Sequence, residues 1–300
     1  MGKQSQDNTA EYHQRICRAV DYINAHLAES PTVAEIAAAA PFSSFHFQRL
    51  FRALLGETVA EFTRRVRLET AARHLIFRPT EEVTEVAIDL GFSSSQNFAK
   101  AFKQHFGVSP TQYRERAGEN QLTVSHGNER AAIPSLVNRD GDANLAVSVR
   151  DLPATRVAYQ RHFGSYNEPG VQTAFDELQR WAEARQLNRN GEYLGIPWDD
   201  ADVTPLERCR FDACLRIGAD VWTGTGVNTQ TIPAGRYAVY RCHITANDFD
   251  TPWTQLMQIW LPSSGYQPAD GPRFERYLSD GNGDPEGRWE LEICLPVAPI

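Results

Sequence analysis

Ser94, Ser95, Gln96, Asn97, Lys100 and Lys103 fall within one short stretch of the chain. Amides and hydroxyls at this density offer donors and acceptors side by side, and the lysines add cations. Together they can hydrogen-bond base edges and phosphate oxygens in a DNA major groove. To act together they must share one side of a helix, and the spacing supplies that helix. Phe98, Phe102 and then His105 or Phe106 recur at i, i+4 and i+7 or i+8, an apolar stripe that docks on a core and turns the polar residues outward. Ser93 or Ser94 stands where an N-cap is needed. Upstream, Val83 to Leu90 reads as a short amphipathic helix, and Gly91 occupies the sharp turn between the two, where positive φ is required. The stretch reads as a helix-turn-helix.

The pattern occurs twice. Val33-Ala-Glu-Ile-Ala-Ala-Ala-Ala-Pro-Phe-Ser-Ser44 aligns with Val83-Thr-Glu-Val-Ala-Ile-Asp-Leu-Gly-Phe-Ser-Ser94. After one inserted residue, Phe47, Arg49, Phe51, Arg52 and Gly56 match Phe98, Lys100, Phe102, Lys103 and Gly107. The expected DNA-binding residues are therefore Ser44, Phe45, Gln48 and Arg49 in the first unit and Ser95, Gln96, Asn97, Lys100 and Lys103 in the second. Phe45 either meets a thymine methyl or packs. His46 caps or touches phosphate rather than binding metal, and Phe42, Phe47, Phe51, Phe92, Phe98 and Phe102 belong to the core. Pro41 stands where the second unit has Gly91, so the first turn is built differently. Between the units, Glu61 to Phe77 is a continuous helical pattern with Phe62, Val66, Leu68, Ala72 and Leu75 inward and the arginines mostly outward, and it would hold the readers at a fixed spacing.

Ser43-x-x-His46-Phe-Gln-Arg-x-Phe51, Gly56, Arg67-Leu-Glu69, Ala87-x-x-x-Gly91-Phe-x-Ser and Phe102-Lys-x-x-Phe-Gly-x-Ser-Pro-x-x-Tyr-Arg114 resemble the AraC family of transcription regulators over roughly the first 118 residues. The resemblance implies double-stranded promoter DNA as a partner and activation through RNA polymerase. Two readers in one chain let a monomer span successive major grooves on one DNA face without a two-fold axis.

The chain has 300 residues and a net charge of −8, which taken as uniform would argue against nucleic acid. It is not uniform. Residues 1–118 hold 14 Lys/Arg against 13 Asp/Glu, whereas the remainder holds 16 against 25. In the first part the basic residues gather on the recognition helices (Arg49, Arg52, Lys100, Lys103) and on the connecting helix (Arg64, Arg65, Arg67), the distribution a DNA-facing side requires. Met1 to Asn8 reads as a frayed tail. No stretch approaches the ~18 apolar residues of a membrane span, and a basic-then-apolar leader is absent. A cytoplasmic protein with no membrane partner is expected. Cys17, Cys209, Cys214, Cys242 and Cys294 are odd in number and scattered, which points to buried reduced thiols, with no metal and no cofactor.

Gly118 to Ala143 is rich in Asn, Gly, Ser and charge without periodicity, and the domains expected are residues 9–118, a linker at 119–143 and residues 144–300. From Asn144 alternation replaces helical spacing. Ala146–Arg150, Thr155–His162, Tyr193–Ile196 and Arg210–Ile217 read as strands around a helix at Val171–Gln186. About eighty residues later the order returns: Ile232-Pro-Ala-Gly-Arg-Tyr-Ala-Val239 echoes Leu152-Pro-Ala-Thr-Arg-Val-Ala-Tyr159, a helix spans Pro252–Leu261, and Arg273–Leu278 and Trp289–Leu295 close as strands. The fold class expected is an all-α tandem helix-turn-helix domain plus an α+β domain of two β-α-β-β repeats. Such repeats side by side put their helices on one side of the sheet and leave a groove for a ligand.

Leu152-Pro-Ala-x-Arg-Val-Ala, Phe163-Gly-Ser-Tyr166, Gly195-Ile-Pro-Trp198-Asp, Phe211-Asp-Ala-Cys214, Trp260-Leu-Pro-x-Ser-Gly-Tyr266, Phe274-Glu275-Arg-Tyr277 and Leu291-Glu-Ile-Cys-Leu-Pro296 resemble the GyrI-like (gyrase-inhibitor-like) effector-binding domain. The resemblance implies a site for a small cationic, lipophilic effector, walled by aromatics and centred on a glutamate, which by motif is Glu275. Phe163, Tyr166, Trp198 and Trp260 are its candidate walls, though each also fits a core position, Trp260 most readily. The plainer alternative for Glu275 is a surface carboxylate paired with Arg273 or Arg276. Trp222 is a lid or simply exposed, and Asp199, Asp200 and Asp202 read as a solvated turn. No nucleophile elbow, phosphate-cradling loop or His/Asp/Ser constellation is present, so no catalytic residue is assigned and an enzyme is not expected. The alternative function is a GyrI-like small-molecule hydrolase or sequestering module fused to a DNA-binding domain.

Overall fold

The computed structural model describes residues 2–118 except 43 and 79, and residues 145–300 except 167–168, 188–190, 225, 246–247 and 281–283. The expected linker at 119–143 lies outside the described residues. The chain forms two compact units, one helical and one rich in strands. Among the described residues no helix is long and apolar enough to cross a membrane.

Seven helices build the N-terminal unit: α1 (Gly2–Ala25), α2 (Val33–Ala39), α3 (Ser44–Leu55), α4 (Val59–Phe77), α5 (Val83–Asp89), α6 (Ser95–Phe106) and α7 (Pro110–Gly118). The segment expected as a frayed tail is instead the first two turns of α1. Capping chemistry sets the starts. Thr32 and Thr58 accept from the Glu35 and Glu61 amides at 3.3 and 3.2 Å, and each glutamate reaches back to its threonine's own N–H. Those returned bonds hold both carboxyls below their ordinary range. The two helix-turn-helix units close alike. Phe42 N–H donates to Ala37 O at 3.1 Å and Phe92 N–H to Ala87 O at 3.0 Å, so Pro41 and Gly91 sit in turns with the same long closing bond. The turns differ one residue earlier. Gly91 takes φ 75° and donates to Ile88 O at 2.9 Å, a bond Pro41 cannot make.

Each unit has its own aromatic core. Phe47, Phe51 and Phe62 stack edge to face at 5.5 Å steps in the first, and Phe98, Phe102 and Tyr113 at 5.4 and 5.3 Å in the second. Helix α4 serves both, burying Phe62 and Val66 as well as Leu68, Ala72 and Leu75.

In the C-terminal unit, β1 (Val147–Leu152) and β2 (Thr155–Phe163) precede α8 (Pro169–Glu183), β3 (Tyr193–Pro197) and β4 (Arg210–Arg216). Then β5 (Asn228–Ile232), β6 (Gly235–Ile244), α9 (Asp250–Gln255), β7 (Tyr266–Pro268), β8 (Phe274–Tyr277) and β9 (Trp289–Pro299) follow. The helix expected to reach Leu261 as one piece ends at Gln255 and widens into a π-helical turn, Leu256–Trp260, before a 3-10 turn that contains Pro262. The sheet runs β1-β6-β9-β8-β3-β4-β2-β5, with β7 paired to the end of β9. The leading strands cross over: β1 lies beside β6 and β5 beside β2, so the two β-α-β-β segments do not simply stand side by side.

Register places one row of residues across the sheet: Gln160, Ala213, Gly195, Glu275, Ile293, Tyr240 and Val147. Because side chains alternate along strands, this row shares a face, and Phe274 and Arg276 face the other way. Helix α8 packs on β2 and β4, with Phe175 against Phe211 and Tyr277 at 6.0 and 5.6 Å. Helix α9 meets the same row, Gln255 accepting from the Tyr240 hydroxyl at 2.9 Å. All five cysteines are buried and outside any disulfide, and burial pushes the thiols of Cys242 and Cys294 up to about 12.

Candidate functional site

Helices α3 and α6 carry the residues with DNA-reading chemistry. On α6, Ser94 is the N-cap, accepting from Asn97 N–H at 3.1 Å, and the Asn97 amide donates to Ser93 Oγ at 2.8 Å. Gln96, Asn97, Lys100 and Lys103 are exposed and Ser95 is half-buried. On α3, Gln48, Arg49 and Arg52 are exposed; Ser44 and Phe45 lie in its first turn, with their side chains outside the described residues. Exposed amides and cations on the faces opposite two aromatic stripes give an arrangement that can hydrogen-bond bases and neutralise phosphates.

The connecting helix departs from expectation. Of its three central arginines only Arg64 is exposed, its Nη2 donating to Gln104 Oε1 on α6 at 3.0 Å. Arg65, expected on the DNA side, is 4% exposed and lies between two carboxylates, at 2.6 Å from Glu57 and 3.0 Å from Glu69. Arg67 points at backbone carbonyls, donating from Nε to Leu27 O at 2.8 Å. A helix with apolar residues on two sides has little room left to face solvent, so charges on the third side are drawn into buried pairs. Both guanidinium groups are engaged inside the unit. The basic face therefore rests on α3, α6 and Arg64.

In the C-terminal unit the glutamate singled out by motif is buried. Glu275 is 5% exposed; its Oε1 accepts from Trp253 Nε1 at 2.8 Å and its Oε2 from the Tyr277 hydroxyl at 2.6 Å. Both donors are neutral. The neighbouring arginines give their hydrogen bonds to other acceptors: Arg273, whose guanidinium lies 5.6 Å from the Trp253 ring centre, donates to Pro197 O and Asp199 O at 3.3 and 2.7 Å, and Arg276 to Glu292 at 2.8 Å on the opposite face. Burial raises the Glu275 carboxyl above its ordinary 4.5, while the bonds from Tyr277 and Trp253 and the charge of Arg273 oppose that rise. Burial beside this carboxylate also drives the Tyr277 phenol well above 10.

Aromatic rings surround the carboxylate. Tyr277 lies 5.6 Å from Phe175, 5.9 Å from Trp289 and 6.4 Å from Phe249, and Phe249 is 6.0 Å from Trp289. Phe175 comes from α8 and Trp253 from α9, so both helices contribute. Gly195 pairs with Glu275 across β3 and β8, and a Cβ there would meet the Tyr277 hydroxyl and, at 2.6 Å, Phe211 Cζ. The missing side chain is what lets the Tyr277 phenol lie over β3 and reach the carboxylate. A buried carboxylate supplied only with neutral donors and ringed by π faces can hold a positive charge by Coulomb attraction and by cation–π contacts of about 0.5 to 2 kcal/mol each. Each oxygen accepts one hydrogen bond and keeps capacity for another, so the site suits a cation with or without an N–H of its own.

The other expected wall residues are engaged elsewhere. Trp198 donates from Nε1 to Asp212 Oδ2 at 2.7 Å, on the face away from Glu275, where Asp212 also accepts from Arg161 at 2.6 and 2.7 Å and Gln230 at 2.8 Å. Phe163 closes β2 opposite Arg210 on that same face, and Trp260 stacks on Tyr266 at 6.3 Å. Tyr166 meets the site through Phe211, at 6.0 Å; its hydroxyl donates to Asp199 O at 2.7 Å. Asp199, expected in a solvated turn, is 3% exposed and pairs with Arg210 at 2.5 and 2.8 Å. Arg210 opens β4, the strand beside β3, and its guanidinium draws the carboxylate out of water. Trp222 is 82% exposed. The aromatic wall that sequence reasoning missed is Trp253, Tyr277, Phe249, Trp289 and Phe175. Only Tyr277 had a local signal, two residues beyond Glu275 on one strand.

The family model for the GyrI-like small molecule binding domain matches residues 145–298, and that for a helix-turn-helix domain matches residues 14–116. A DNA gyrase inhibitor of Serratia proteamaculans (strain 568) is 35% identical over 158 residues, 51% of this chain and 98% of the relative. A transcriptional regulator with an AraC-type DNA-binding domain from Chromobacterium violaceum superposes with a TM-score of 0.34 at 24% identity, covering 35% of this chain and 93% of that one. The DNA-binding domain of AdpA, in complex with a target DNA, gives 0.33 at 32% identity over 36% of this chain and 99% of that one. The chain belongs to the GyrI-like family, here joined to an AraC-type helix-turn-helix domain, and the pair is that of a DNA-binding transcription regulator with a small-molecule effector domain.

Proposed function

We propose that the chain is a transcription activator that senses a lipophilic cation, with residues 9–118 reading promoter DNA, 119–143 linking and 144–300 binding the effector. The observation that carries the effector reading is Glu275, a buried carboxylate whose described hydrogen-bond donors, Trp253 and Tyr277, are both neutral. A permanently charged aromatic cation supplies the missing charge, and Phe175, Phe249, Tyr277 and Trp289 supply the faces it rests on. Phe163, Trp198 and Trp260 are left out of this wall, and Tyr166 backs it through Phe211.

The order strand, strand, helix, strand, strand over 147–216 returns over 228–299 with the short β7 added after the helix, which supports reading the effector domain as a duplication, with the ligand between the repeats. On the DNA side, Ser44, Phe45, Gln48 and Arg49 of α3 and Ser95, Gln96, Asn97, Lys100 and Lys103 of α6 are the proposed contacts. If the two readers stand closer than one helical turn of DNA, the duplex must bend, at a few kcal/mol. Ligand binding alters activity to the extent that affinity differs between active and inactive states.

Thermal-shift measurement on the full chain with tetraphenylphosphonium, a neutral triphenyl analogue and an aromatic anion tests the effector reading. Stabilisation by the cation alone, lost in Glu275→Gln, is expected; equal stabilisation of both proteins removes Glu275 from the site. Run-off transcription with purified RNA polymerase tests activation, and the absence of stimulation would sink it.

A further inference from the structure

Arg67 ties together three segments of the N-terminal unit. From the middle of α4 its Nε donates to Leu27 O at 2.8 Å, its Nη2 to Ser30 Oγ at 2.8 Å and also to Leu27 O, and its Nη1 to Gly91 O at 3.4 Å. Ser30 Oγ lies 3.4 Å from the same Gly91 carbonyl. Leu27 and Ser30 belong to the turn after α1, which supports the first reader; Gly91 is the turn of the second. The seat is tight. At φ 75° a Cβ on Gly91 would meet Ala28 O at 2.5 Å, Arg67 Nη2 at 2.9 Å and Leu27 O at 3.0 Å. Two residues earlier Arg65 grips Glu57, at the corner between α3 and α4.

We propose that Arg67 is a positioning residue for two-site DNA reading: it locks the support of the first reader to the turn of the second and so fixes the separation of α3 and α6. The planar fork can serve several acceptors at once in one geometry, which a lysine ammonium on its flexible stem cannot. The proposal rests on α3 and α6 being the reading helices. A rigid pair gains avidity only from sites at the matching separation, whereas a loosened pair accepts others and gains less from each. One inserted base pair moves a half-site by about 3.4 Å and turns it by about 35°.

The test uses 30-bp duplexes that the full-length wild type selects from a random pool, with its two contacted stretches marked by hydroxyl-radical footprinting. Anisotropy titrations then compare the native spacing, one- and two-base-pair insertions, and a duplex holding a single contacted stretch. For the wild type, one insertion should weaken binding about thirtyfold, part of the roughly hundredfold or more that linkage of two modules provides. In Arg67→Met and Arg67→Lys the insertion penalty should fall to about threefold, with single-stretch binding unchanged. A full wild-type penalty in the lysine variant overturns the proposal, and that variant decides if Arg67→Met fails to fold. Failure of the wild type to select any bipartite duplex overturns the DNA reading itself.

Discussion

Replacing Glu275 with glutamine removes one charge and almost no volume. The Trp253 indole can still donate to the amide oxygen, but the Tyr277 hydroxyl, 2.6 Å from Oε2, would face an NH2 and must turn to accept. For a cation centred about 5 Å from the carboxylate, an effective dielectric of about 20 gives roughly 3 kcal/mol of attraction. Glu275 is already buried without ligand, so only the large cation gives up water; with about 1 kcal/mol allowed for that, about 2 kcal/mol remains, or roughly thirtyfold in Kd. Calorimetric titration of the full chain with tetraphenylphosphonium should show that loss, while the neutral analogue binds both proteins alike. The pH dependence has a fixed sign. Since burial raises the Glu275 carboxyl above 4.5, the neutral form favours the ligand-free fold, a contribution complete below 4.5 and lost as pH rises through the folded-state value. Cation binding runs the other way: it needs the carboxylate, so affinity should climb by up to about tenfold per pH unit below that value and level off above it. Glu275→Gln should abolish both trends. Equal Kd in the two proteins, or a pH profile shared by both, refutes the assignment of this carboxylate as the ligand's counter-charge.

Gly195→Ala should displace the Tyr277 phenol from β3, costing about 1 to 3 kcal/mol in chemical denaturation and weakening cation binding in the same titration. Arg65→Met would take from Glu57 and Glu69, which are 3% and 6% exposed, the guanidinium they share, and should destabilise the N-terminal unit by about 3 to 5 kcal/mol in urea; an unchanged midpoint would mean that water already reaches the pair. Gln96→Ala or Arg49→Ala should lose about 1 to 3 kcal/mol on a selected duplex, and Lys103→Ala should lower the salt slope of binding by about one. Unaltered gel-shift titrations would remove those residues from the interface.

The helical domain was legible in the sequence because each of its signals is local. The serine N-cap, the i, i+4 phenylalanines and Gly91 act within one or two turns, and the repetition of the pattern at 33–56 and 83–107 marks both readers. Glu275 was reachable through its motif, and the alternating strands through their period of two. Packing decided the rest. Arg65 and Arg67 look like Arg64 in sequence, but α4 is enclosed on two sides, so one arginine is drawn between carboxylates and another onto carbonyls. Trp198 and Trp253 are equally aromatic, yet the register of β3 against β4 turns the first to Asp212, while α9 brings the second to Glu275. Type and spacing determine which elements form and which face is apolar. Which charges and rings meet depends on residues dozens of positions apart, and a contact such as that of Gly195 with Tyr277 comes into being only when β3 and β8 pair.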